Sequence, residues 1–402
     1  MQAEEEIRWV PVRELGEVRM GKQLSPDSRA AVQQFPYLRV ANVFDGRIDY
    51  SDVKTMGFTE TERATYSLRR GDILLNEGQS LELVGRSAIY EGPESAFCFQ
   101  NTLVRFRAGQ EVLPEYAQVV FSRWLATGVF ASIAKKTTSI AHLGGERFAA
   151  LGFPLRTLAH QRRVVDLLDA VTGMERAIEE SIAKALTIRD ALMGKLLGDL
   201  HWDSILADAL NGPIRNGFSP VESQTWTGVQ MLGLGCLTHS GFSPRQLKNA
   251  PASLTVSHPA VLVDGDLLMS RANTRELVGL AGIYRDIGNP CIYPDLMMRL
   301  RTSEACLPEF LEAVIRSPRA RRGIMALAQG TSESMVKISA RAAMGLAVPL
   351  PDMAEQKQFL AVLASAGERV DAEVTELAKL RKLKQGLADD LLTGNVEVDD
   401  LA

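Results

Sequence analysis

The sequence predicts an α+β protein in which two similar mixed α/β domains are separated by two long antiparallel coiled-coil helices, with a pseudo-twofold internal repeat. Three observations support this fold class. Short motifs return in the same order about 194 residues later in the chain. Each copy ends in a long, proline-free amphipathic stretch, and the remaining segments alternate short β-rich runs with turn signals.

The internal repeat keeps its register through most of the chain. GDILL at 71–75 returns as GDLLM at 265–269, and ELVG at 82–85 returns as ELVG at 276–279. FPL at 153–155 returns as VPL at 348–350, with the spacing between the copies changed by only one residue. Chance does not preserve register in this way, so we interpret the chain as two copies of one unit with two related binding roles.

Each copy begins with a mixed domain, which we predict over 1–155 and 201–350. In the first copy, β-rich runs occur at 37–40, 73–75 and 102–106, and turn signals such as the Asp-Gly pair at 45–46 separate them. We predict a helix in each copy at Pro114 and at Pro308, because proline is tolerated in the first turn of a helix.

Each mixed domain is followed by a long helix, within the predicted spacer segments 156–200 and 351–402, the latter including a C-terminal tail. Apolar residues recur every three or four positions over the proline-free stretches 158–197 and 353–392, in stripes that include Met174 and Val374. Asp352 is predicted to cap the second helix. Helices of about 50–60 Å, at 1.5 Å per residue, are too long to bury such a stripe against one small domain. We therefore expect the helices to pack on each other and not on their own domains, although two separately folded helices stay an alternative.

The composition excludes several classes of protein. Apolar residues make up 46% and charged residues 23% of the 402 residues, which is typical of a soluble chain with more than one domain. No apolar run is long enough for a membrane span and the acidic N-terminus is unlike a signal peptide, so we expect a cytoplasmic location. The four cysteines and five histidines show no metal-ligand spacing, so no metal site is expected.

The motifs that resemble catalytic or cofactor sites are incomplete. GEVRMGKQ at 16–23 has Gln23 where a phosphate-binding loop requires Ser or Thr. NPCIY at 289–293 carries one residue more than the Asn-Pro-Pro-Tyr motif of adenine methyltransferases, and no glycine-rich cofactor loop precedes it. No carboxylate set converges from separate strands, as metal-dependent nucleases require. We therefore expect a non-catalytic chain that holds no cofactor.

Short motifs at both ends of the chain resemble those of type I restriction–modification specificity subunits. PLPDMAEQ at 349–356 is similar to the PLPxxxEQ motif of that family. KQGLADDLLTG at 384–394 resembles the end of the family's distal helix, and WVPVRELG at 9–16 resembles its N-terminal start. The resemblance covers the whole chain and includes the duplicated plan, although His160 stands where the family usually has Glu.

The resemblance implies a function for each part of the chain. The two mixed domains would be target-recognition domains that each read one half of a bipartite sequence in double-stranded DNA. The helices would be conserved spacers that dock two DNA methyltransferase subunits, which motor and nuclease subunits of the restriction system can join, and the complex would serve DNA methylation and anti-phage defence. The alternatives are a coiled-coil scaffold without a DNA role and the specificity subunit of a methylation-only or other anti-phage complex.

Candidate DNA-binding residues follow from side-chain chemistry in loops that the repeat matches. Arg can form paired hydrogen bonds with guanine and Asn or Gln with adenine, whereas Lys and Ser mostly hold phosphates. In the first domain the candidates are Asn76, Gln79, Arg86, Lys135, Lys136, Ser139 and His142. In the second domain the candidates are Ser270, Arg271, Asn273, Arg275, Thr331, Ser334 and Lys337.

Overall fold

The computed structural model describes residues 7–137, 140–330, 335–396 and 398, and the chain forms two compact units. One unit comprises the described residues up to Glu179 together with those from Glu376 onward, and the other comprises the described residues from Glu180 to Thr375. Each unit therefore combines one mixed domain with one half of each long helix. The predicted domain boundaries at 155, 200 and 350 stay a prediction, because the units divide the chain within the helices.

The first mixed domain consists of short strands and helices. Its strands are β1 Arg8–Pro11, β2 Gly16–Met20, β3 Phe35–Leu38, β4 Val43–Phe44, β5 Arg47–Ile48, β6 Lys54–Met56, β7 Ile73–Asn76, β8 Gly78–Gln79, β9 Ser87–Ile89, β10 Cys98–Phe99, β11 Leu103–Ala108, β12 Lys135–Lys136, β13 Ala141–His142 and β14 Gly152–Leu155. Its α-helices are α1 Val12–Leu15, α2 Pro26–Ala30, α3 Glu60–Tyr66, α4 Pro114–Ala126, α5 Val129–Ile133 and α6 Gly145–Ala149. The run predicted at 37–40 leaves the strand after Leu38, because Val40–Asn42 forms a 3-10 turn.

The core of the first domain lies on both faces of an antiparallel sheet with the strand order β2-β11-β7-β9. Side chains alternate between the two faces of a strand. Ile73 and Leu75 accordingly join the apolar cluster that contains Phe121 of α4, whereas Leu74 joins a second cluster with Phe99 of β10. A smaller sheet of order β10-β3-β6 lies at this second face.

The second mixed domain follows the first long helix, α7 Leu158–Gly198. Its strands are β15 Ser204–Ile205, β16 Arg215–Asn216, β17 Gln230–Leu232, β18 Leu237–Thr238, β19 Gly241–Phe242, β20 Leu247–Asn249, β21 Leu267–Ser270, β22 Ala272–Asn273, β23 Ala281–Ile283, β24 Cys291–Ile292, β25 Met297–Leu300, β26 Val336–Lys337 and β27 Ala347–Val348. Its helices are α8 Pro308–Arg316, α9 Pro318–Leu327 and α10 Ala340–Met344, with 3-10 turns at Leu206–Ala209 and Leu234–Cys236. The second long helix, α11 Met353–Thr393, follows the second mixed domain.

The strand pairing of the two domains confirms the duplicated fold. The main sheet of the second domain has the order β16-β25-β21-β23, which matches β2-β11-β7-β9 strand for strand. In the smaller sheets, β17 pairs in parallel with β24 and antiparallel with β20, as β3 does with β10 and β6. The repeated GD motif leads into the central strand β7 in one domain and into β21 in the other.

The repeated ELVG motif encodes a turn that only glycine fits. Gly85 and Gly279 have φ angles of +83° and +73°, a region that side chains with a Cβ rarely adopt. A Cβ at Gly85 would lie 2.3 Å from the ring of Phe130 in α5, and one at Gly279 would lie 2.4 Å from Ile324 in α9. The motif recurs because the same close approach of turn and helix recurs in both domains.

A buried glutamine attaches the start of each long helix to its domain. Gln161 is 0% exposed; its Oε1 accepts from the backbone N–H of Leu113, and its Nε2 donates to the carbonyls of Glu111 and Arg156, at 2.8, 2.9 and 2.8 Å. Gln356 makes the equivalent three hydrogen bonds, with Leu307 N, Ala305 O and Pro351 O. The amide oxygen and both amide hydrogens of each side chain have a partner, which explains why the motif at the start of each long helix ends in Gln.

The two long helices pack together in antiparallel orientation, as the fold class predicted. In the first unit, Glu175 of α7 pairs with Lys384 of α11 at 2.9 Å. In the second unit, Ser181 of α7 donates to Glu373 of α11 at 2.9 Å. Each helix has 41 residues, which corresponds to about 60 Å at 1.5 Å per residue. Asp352 caps α11 as expected, since its Oδ1 accepts from the backbone N–H of Ala354 and of Glu355.

The expectation that the helices avoid their own domains is wrong at the helix ends. The residues near the ends belong to the domain cores, namely Val164, Leu168, Leu391 and Leu392 in the first domain and Leu197 and Phe359 in the second. Their apolar side chains lie within reach of the adjacent domain, and burial of each one stabilises the fold by about 1.5–3 kcal/mol. The helix pair and each domain therefore share one core.

The contact between the helices follows the heptad spacing of a coiled coil. In the first unit the seam positions, separated by four and three residues in turn, are Val164, Leu168, Val171, Glu175 and Ile178 of α7 and Leu377, Leu380, Lys384, Leu387 and Leu391 of α11. Met174 and Val374, which the predicted apolar stripe included, lie outside this spacing and are 57% and 49% exposed. A period of 3.5 residues excludes them from the seam.

Replacing Glu175 by Leu is expected to destabilise the chain by about 1–3 kcal/mol, because Lys384 would lose its partner within an apolar seam. The two side chains are only 13% and 30% exposed. The double variant Glu175→Leu/Lys384→Leu is expected to regain the lost free energy of unfolding, measured by chemical denaturation. Glu179→Leu, at a position that is 49% exposed, is the matched control. Equal midpoints for the single and the double variant would contradict this account.

Candidate nucleic-acid interface

Each domain carries a small β-ribbon beside its main sheet. The ribbon of the first domain comprises 78–79, 135–136 and 140–142, in which β12 pairs with β13 and β13 pairs with β8. The ribbon of the second domain comprises 272–273, 329 and 335–337, in which β26 pairs with β22 and with Gln329. The two ribbons occupy the same place in the repeat, because β8 and β22 follow the equivalent central strands β7 and β21.

The buried first residue of β13 and of β26 indicates which side chain of that strand faces outward. Ala141 is 1% exposed and belongs to the core of the first domain, so its neighbour His142 lies on the opposite face of the strand. Lys135 pairs with His142 across the ribbon and shares that face. In the second domain, Val336 is 0% exposed and Lys337 is exposed. Each ribbon therefore has an outer face with a cationic side chain.

The structure brings four of the predicted residues of the first domain together on one ribbon. Lys135 and Lys136 form the exposed strand β12, His142 is half-buried, and Gln79 pairs with Ala141 in the neighbouring strand. Ser139, a fifth candidate, lies outside the described residues. The four described side chains combine two cations with an amide and an imidazole, which are groups that hold phosphates and donate to or accept from base edges.

A carboxylate that was not among the predicted residues contacts this ribbon. Glu77 immediately precedes β8, and its Oε2 lies 3.0 Å from Nδ1 of His142. Its counterpart in the second domain is Arg271, since Leu143 N donates to Glu77 O as Ile338 N donates to Arg271 O. The repeat alignment provides the signal for Glu77, because matched positions hold opposite charges. A carboxylate accepts from cytosine, whereas an arginine donates to guanine, so the two ribbons offer different chemistry.

Two of the predicted contact residues are interior residues. Asn76 and Ser270 are the last residues of β7 and β21, and both are 0% exposed. Asn76 Nδ2 donates to the carbonyl of Val43 at 3.3 Å, and Ser270 Oγ donates to the carbonyl of Leu277 at 3.0 Å. We correct the prediction for this pair: Asn76 is bonded to β4 and Ser270 to the turn after β22, and neither buried side chain is available to DNA.

Two predicted arginines have partners inside their domains. Arg86 stacks on the ring of Phe44 at 4.8 Å and faces Asp45; burial lowers the pKa of Arg86 and raises the pKa of Asp45. Arg275 Nη1 donates to the carbonyl of Met325 at 3.1 Å, near the end of α9, where carbonyls lack a helical partner. A DNA contact by either arginine stays a prediction and would require these interactions to change.

The remaining candidates of the second domain lie on or beside its ribbon. Arg271 is half-buried and donates to the carbonyl of Asp295 over a long distance of 3.4 Å, so its guanidinium is weakly held. Asn273 is half-buried in β22, and Lys337 is exposed in β26. Thr331 and Ser334 lie outside the described residues. The ribbon thus combines Arg, Asn and Lys, which suits base recognition with a phosphate contact.

Metal-ligand clusters and reactive cysteines are two features by which a catalytic centre can be recognised. No group of three or more His, Cys, Asp and Glu side chains that could hold a metal ion occurs among them. The cysteines are buried and free, and burial raises the pKa of the Cys98 thiol to about 11 and that of Cys291 to about 12, so neither is a thiolate near neutral pH. In the described part of the chain, none of the helices has the length and apolar character of a membrane span.

Comparison with known proteins gives related sequences and a related fold. The chain is 22% identical over 400 residues to the type I restriction enzyme EcoKI specificity subunit of Escherichia coli (strain K12), covering 90% of this chain and 82% of that protein. It is 23% identical over 295 residues to the type I restriction enzyme MjaVIII specificity subunit of Methanocaldococcus jannaschii, covering 68% of each. These relatives confirm the resemblance seen in the motifs.

A solved structure shares the fold of the whole chain. It comes from work on complex assembly and conformational transition of the type I R-M system. The two chains superimpose with a TM-score of 0.62 at 18% identity, over 97% of this chain and 98% of the other. No family model matches the sequence. At this level of identity the likeness concerns the fold alone.

Proposed function

We propose that this chain, a relative of the type I restriction enzyme specificity subunits, is the DNA-specificity subunit of a restriction–modification complex and reads a bipartite target. Its relatives support the specificity role. One observation carries the bipartite target: two domains with the same strand order present the same ribbon with different polar side chains. Each ribbon would read one half-site, so two ribbons with different side chains suit two different half-sites.

The chemistry of each ribbon suits the DNA major groove. The groove is about 12 Å wide and admits a two-stranded β-ribbon. Lys135 and Lys136 are exposed, as a phosphate contact requires, and Gln79 and His142 lie beside them on paired strands. In the second domain Arg271 has a long hydrogen bond that a guanine could replace. Phosphate contacts would orient each ribbon, and the amide, imidazole and guanidinium would select bases.

We also propose that the helix pair docks methyltransferase subunits and that the chain itself transfers no methyl group. An exposed apolar groove runs along the helices in the first unit and is lined by Met174, Ala177, Ile178, Leu380 and Leu383, with Glu376 and Lys379 at its edge. Met174 and Leu383 are 57% and 63% exposed. Apolar side chains concentrated in this way mark a protein interaction site, and an amphipathic helix of the methyltransferase fits a groove between two helices.

Co-expression with methyltransferase subunits tests this function. The pair of proteins is expected to methylate one bipartite sequence, whereas the chain alone and the methyltransferase alone are expected to methylate none, as read by sequencing of methylated bases. Met174→Glu should prevent co-purification with the methyltransferase and leave the fold intact. Ala183→Glu, at an exposed position of α7 that does not line the groove, is the matched control and should still co-purify. Methylation by the purified chain alone, or the same methylated sequence without it, would refute the proposal.

Lys135→Ala is expected to weaken binding to every DNA sequence alike and to leave the methylated sequence unchanged. A lost phosphate contact reduces the slope of log K against log salt by about 0.9. The measurement is a salt titration of the binding constant for target and unrelated DNA. Lys54→Ala, which removes an exposed lysine from β6 outside the ribbon, is the control and should keep the wild-type slope. A variant that changes the preferred sequence would identify Lys135 as a base contact instead.

A further inference from the structure

We infer that each ribbon reads DNA through one exposed apolar side chain as well, Ile140 in the first domain and Met335 in the second, and that each contacts the methyl group of a thymine. The inference rests on the proposed DNA-reading function and adds a specific contact to it.

Each of these two exposed residues directly precedes a buried one. Ile140 is 44% exposed and Met335 is 46% exposed, although both are large apolar side chains. The next residues, Ala141 and Val336, are 1% and 0% exposed and belong to the domain cores. Ile140 and Met335 lie directly before β13 and β26, so in both domains an exposed apolar side chain stands next to the buried first residue of the strand.

The two residues occupy the same place in the duplicated fold. Ala141 pairs with Gln79 as Val336 pairs with Asn273, so Ile140 and Met335 each precede an equivalent paired position. A single exposed apolar residue is common on protein surfaces and needs no explanation. Here the ribbon sequences have diverged to Ile-Ala-His and Met-Val-Lys, yet both keep an exposed apolar residue before the buried one. This shared pattern points to a ligand that both ribbons contact.

The surroundings of Ile140 indicate that this ligand is DNA. A Cβ placed on Gly78 would lie 3.6 Å from Ile140 Cγ2 and 3.6 Å from His142 Cε1, so both side chains cover the same face of the ribbon. Lys135 pairs with His142 and shares that face. In the second domain, Lys337 follows Met335 by two residues and is exposed as well. A protein partner would favour a wider apolar patch, whereas one apolar group among cations suits the edge of a base pair beside its phosphates.

The chemistry of the major groove indicates which group of the DNA the two apolar side chains contact. Each base edge there presents hydrogen-bond donors or acceptors, and thymine adds the C5 methyl group, which apolar side chains contact. Leu81 and Leu83 are also exposed in the first domain, at 36% and 38%, but the counterpart of Leu81 is Arg275 and that of Leu83 is the half-buried Leu277. Only Ile140 and Met335 therefore form a matched apolar pair on the described parts of the ribbons.

Replacing thymine by deoxyuridine tests the contact, because deoxyuridine lacks only the methyl group. The assembled complex of the full chain with its methyltransferase subunits is titrated with its mapped target, in which each thymine is replaced in turn. In the wild type, one replacement per half-site is expected to weaken binding about three- to fivefold, the value of burying one methyl group. Ile140→Ala should weaken binding to the unmodified target and abolish the response to deoxyuridine in one half-site only. Met335→Ala should do so in the other half-site.

Val32→Ala is the matched control, since Val32 is 100% exposed in the first domain outside the ribbon. It should keep the wild-type response at every thymine. A half-site without a responsive thymine, or an Ile140→Ala complex with the wild-type ratio between thymine and deoxyuridine, overturns the inference and leaves the proposed function standing. A wild-type complex that prefers no DNA sequence overturns both.

Discussion

Exchanging residues 201–350 for the matching domain of a relative with a different target is expected to change one half of the methylated sequence and to leave the other half unchanged. The physical reason is that each domain has its own cores and its own ribbon. The apolar clusters around β21 and β25 consist of residues of the second domain and of the adjoining ends of the long helices. The clusters around β7 and β11 consist of residues of the first domain and of the helix ends that adjoin it. Sequencing of methylated bases in cells that carry the hybrid gives the result directly.

Single substitutions in the second domain refine the same experiment. Arg271→Ala or Asn273→Ala should relax one position of that half-site by about 1–3 kcal/mol, if the side chain forms paired hydrogen bonds to a base. Arg301→Ala, at an exposed arginine outside the ribbon, is the matched control and should leave the target unchanged. The reciprocal exchange of residues 1–155 should alter the other half. A hybrid that changes both halves would show that the domains do not read independently.

Lengthening both long helices by seven residues is expected to widen the gap between the half-sites and to leave the bases read unchanged. Seven residues are one heptad, so the seam keeps its spacing of four and three. The insertions belong between Glu179 and Glu180 in α7 and between Thr375 and Glu376 in α11, where the two compact units meet in sequence. Seven residues add about 10.5 Å of helix, which corresponds to about three base pairs at 3.4 Å each if the helices run along the DNA axis.

The control for the paired insertions is an insertion of the same seven residues into α7 alone. That change leaves α11 too short to pair along the longer helix, so we expect lower stability and loss of methylation in place of a wider gap. The measurement is again the map of methylated sites, combined with thermal unfolding of each variant. If the paired insertions changed the bases and not the spacing, the helices could not be a spacer of fixed length.

The duplicated plan and the two long helices could be predicted from local sequence patterns. Repeated motifs and apolar periodicity are local properties of a chain, so they located α7 at Leu158–Gly198 and α11 at Met353–Thr393 to within a residue or two of the predicted 158–197 and 353–392. The proline at the start of α4 and of α8 and the cap at Asp352 are local signals as well, and all three are confirmed. The ribbons emerged as regions for the same reason, because their polar residues recur in the repeat.

Which side of each element faces inward depends on contacts between residues that are distant in sequence. Asn76 and Ser270 read as loop residues in the sequence, yet pairing with Leu103 and Met297 across the main sheets buries them. The roles proposed for Glu77 and Ile140 depend on contacts across a ribbon whose strands are about sixty residues apart in sequence. Such contacts depend on strand register, and a shift of one residue would turn every side chain to the other face. Local pattern therefore specifies the elements, and long-range pairing specifies which of their side chains can meet DNA.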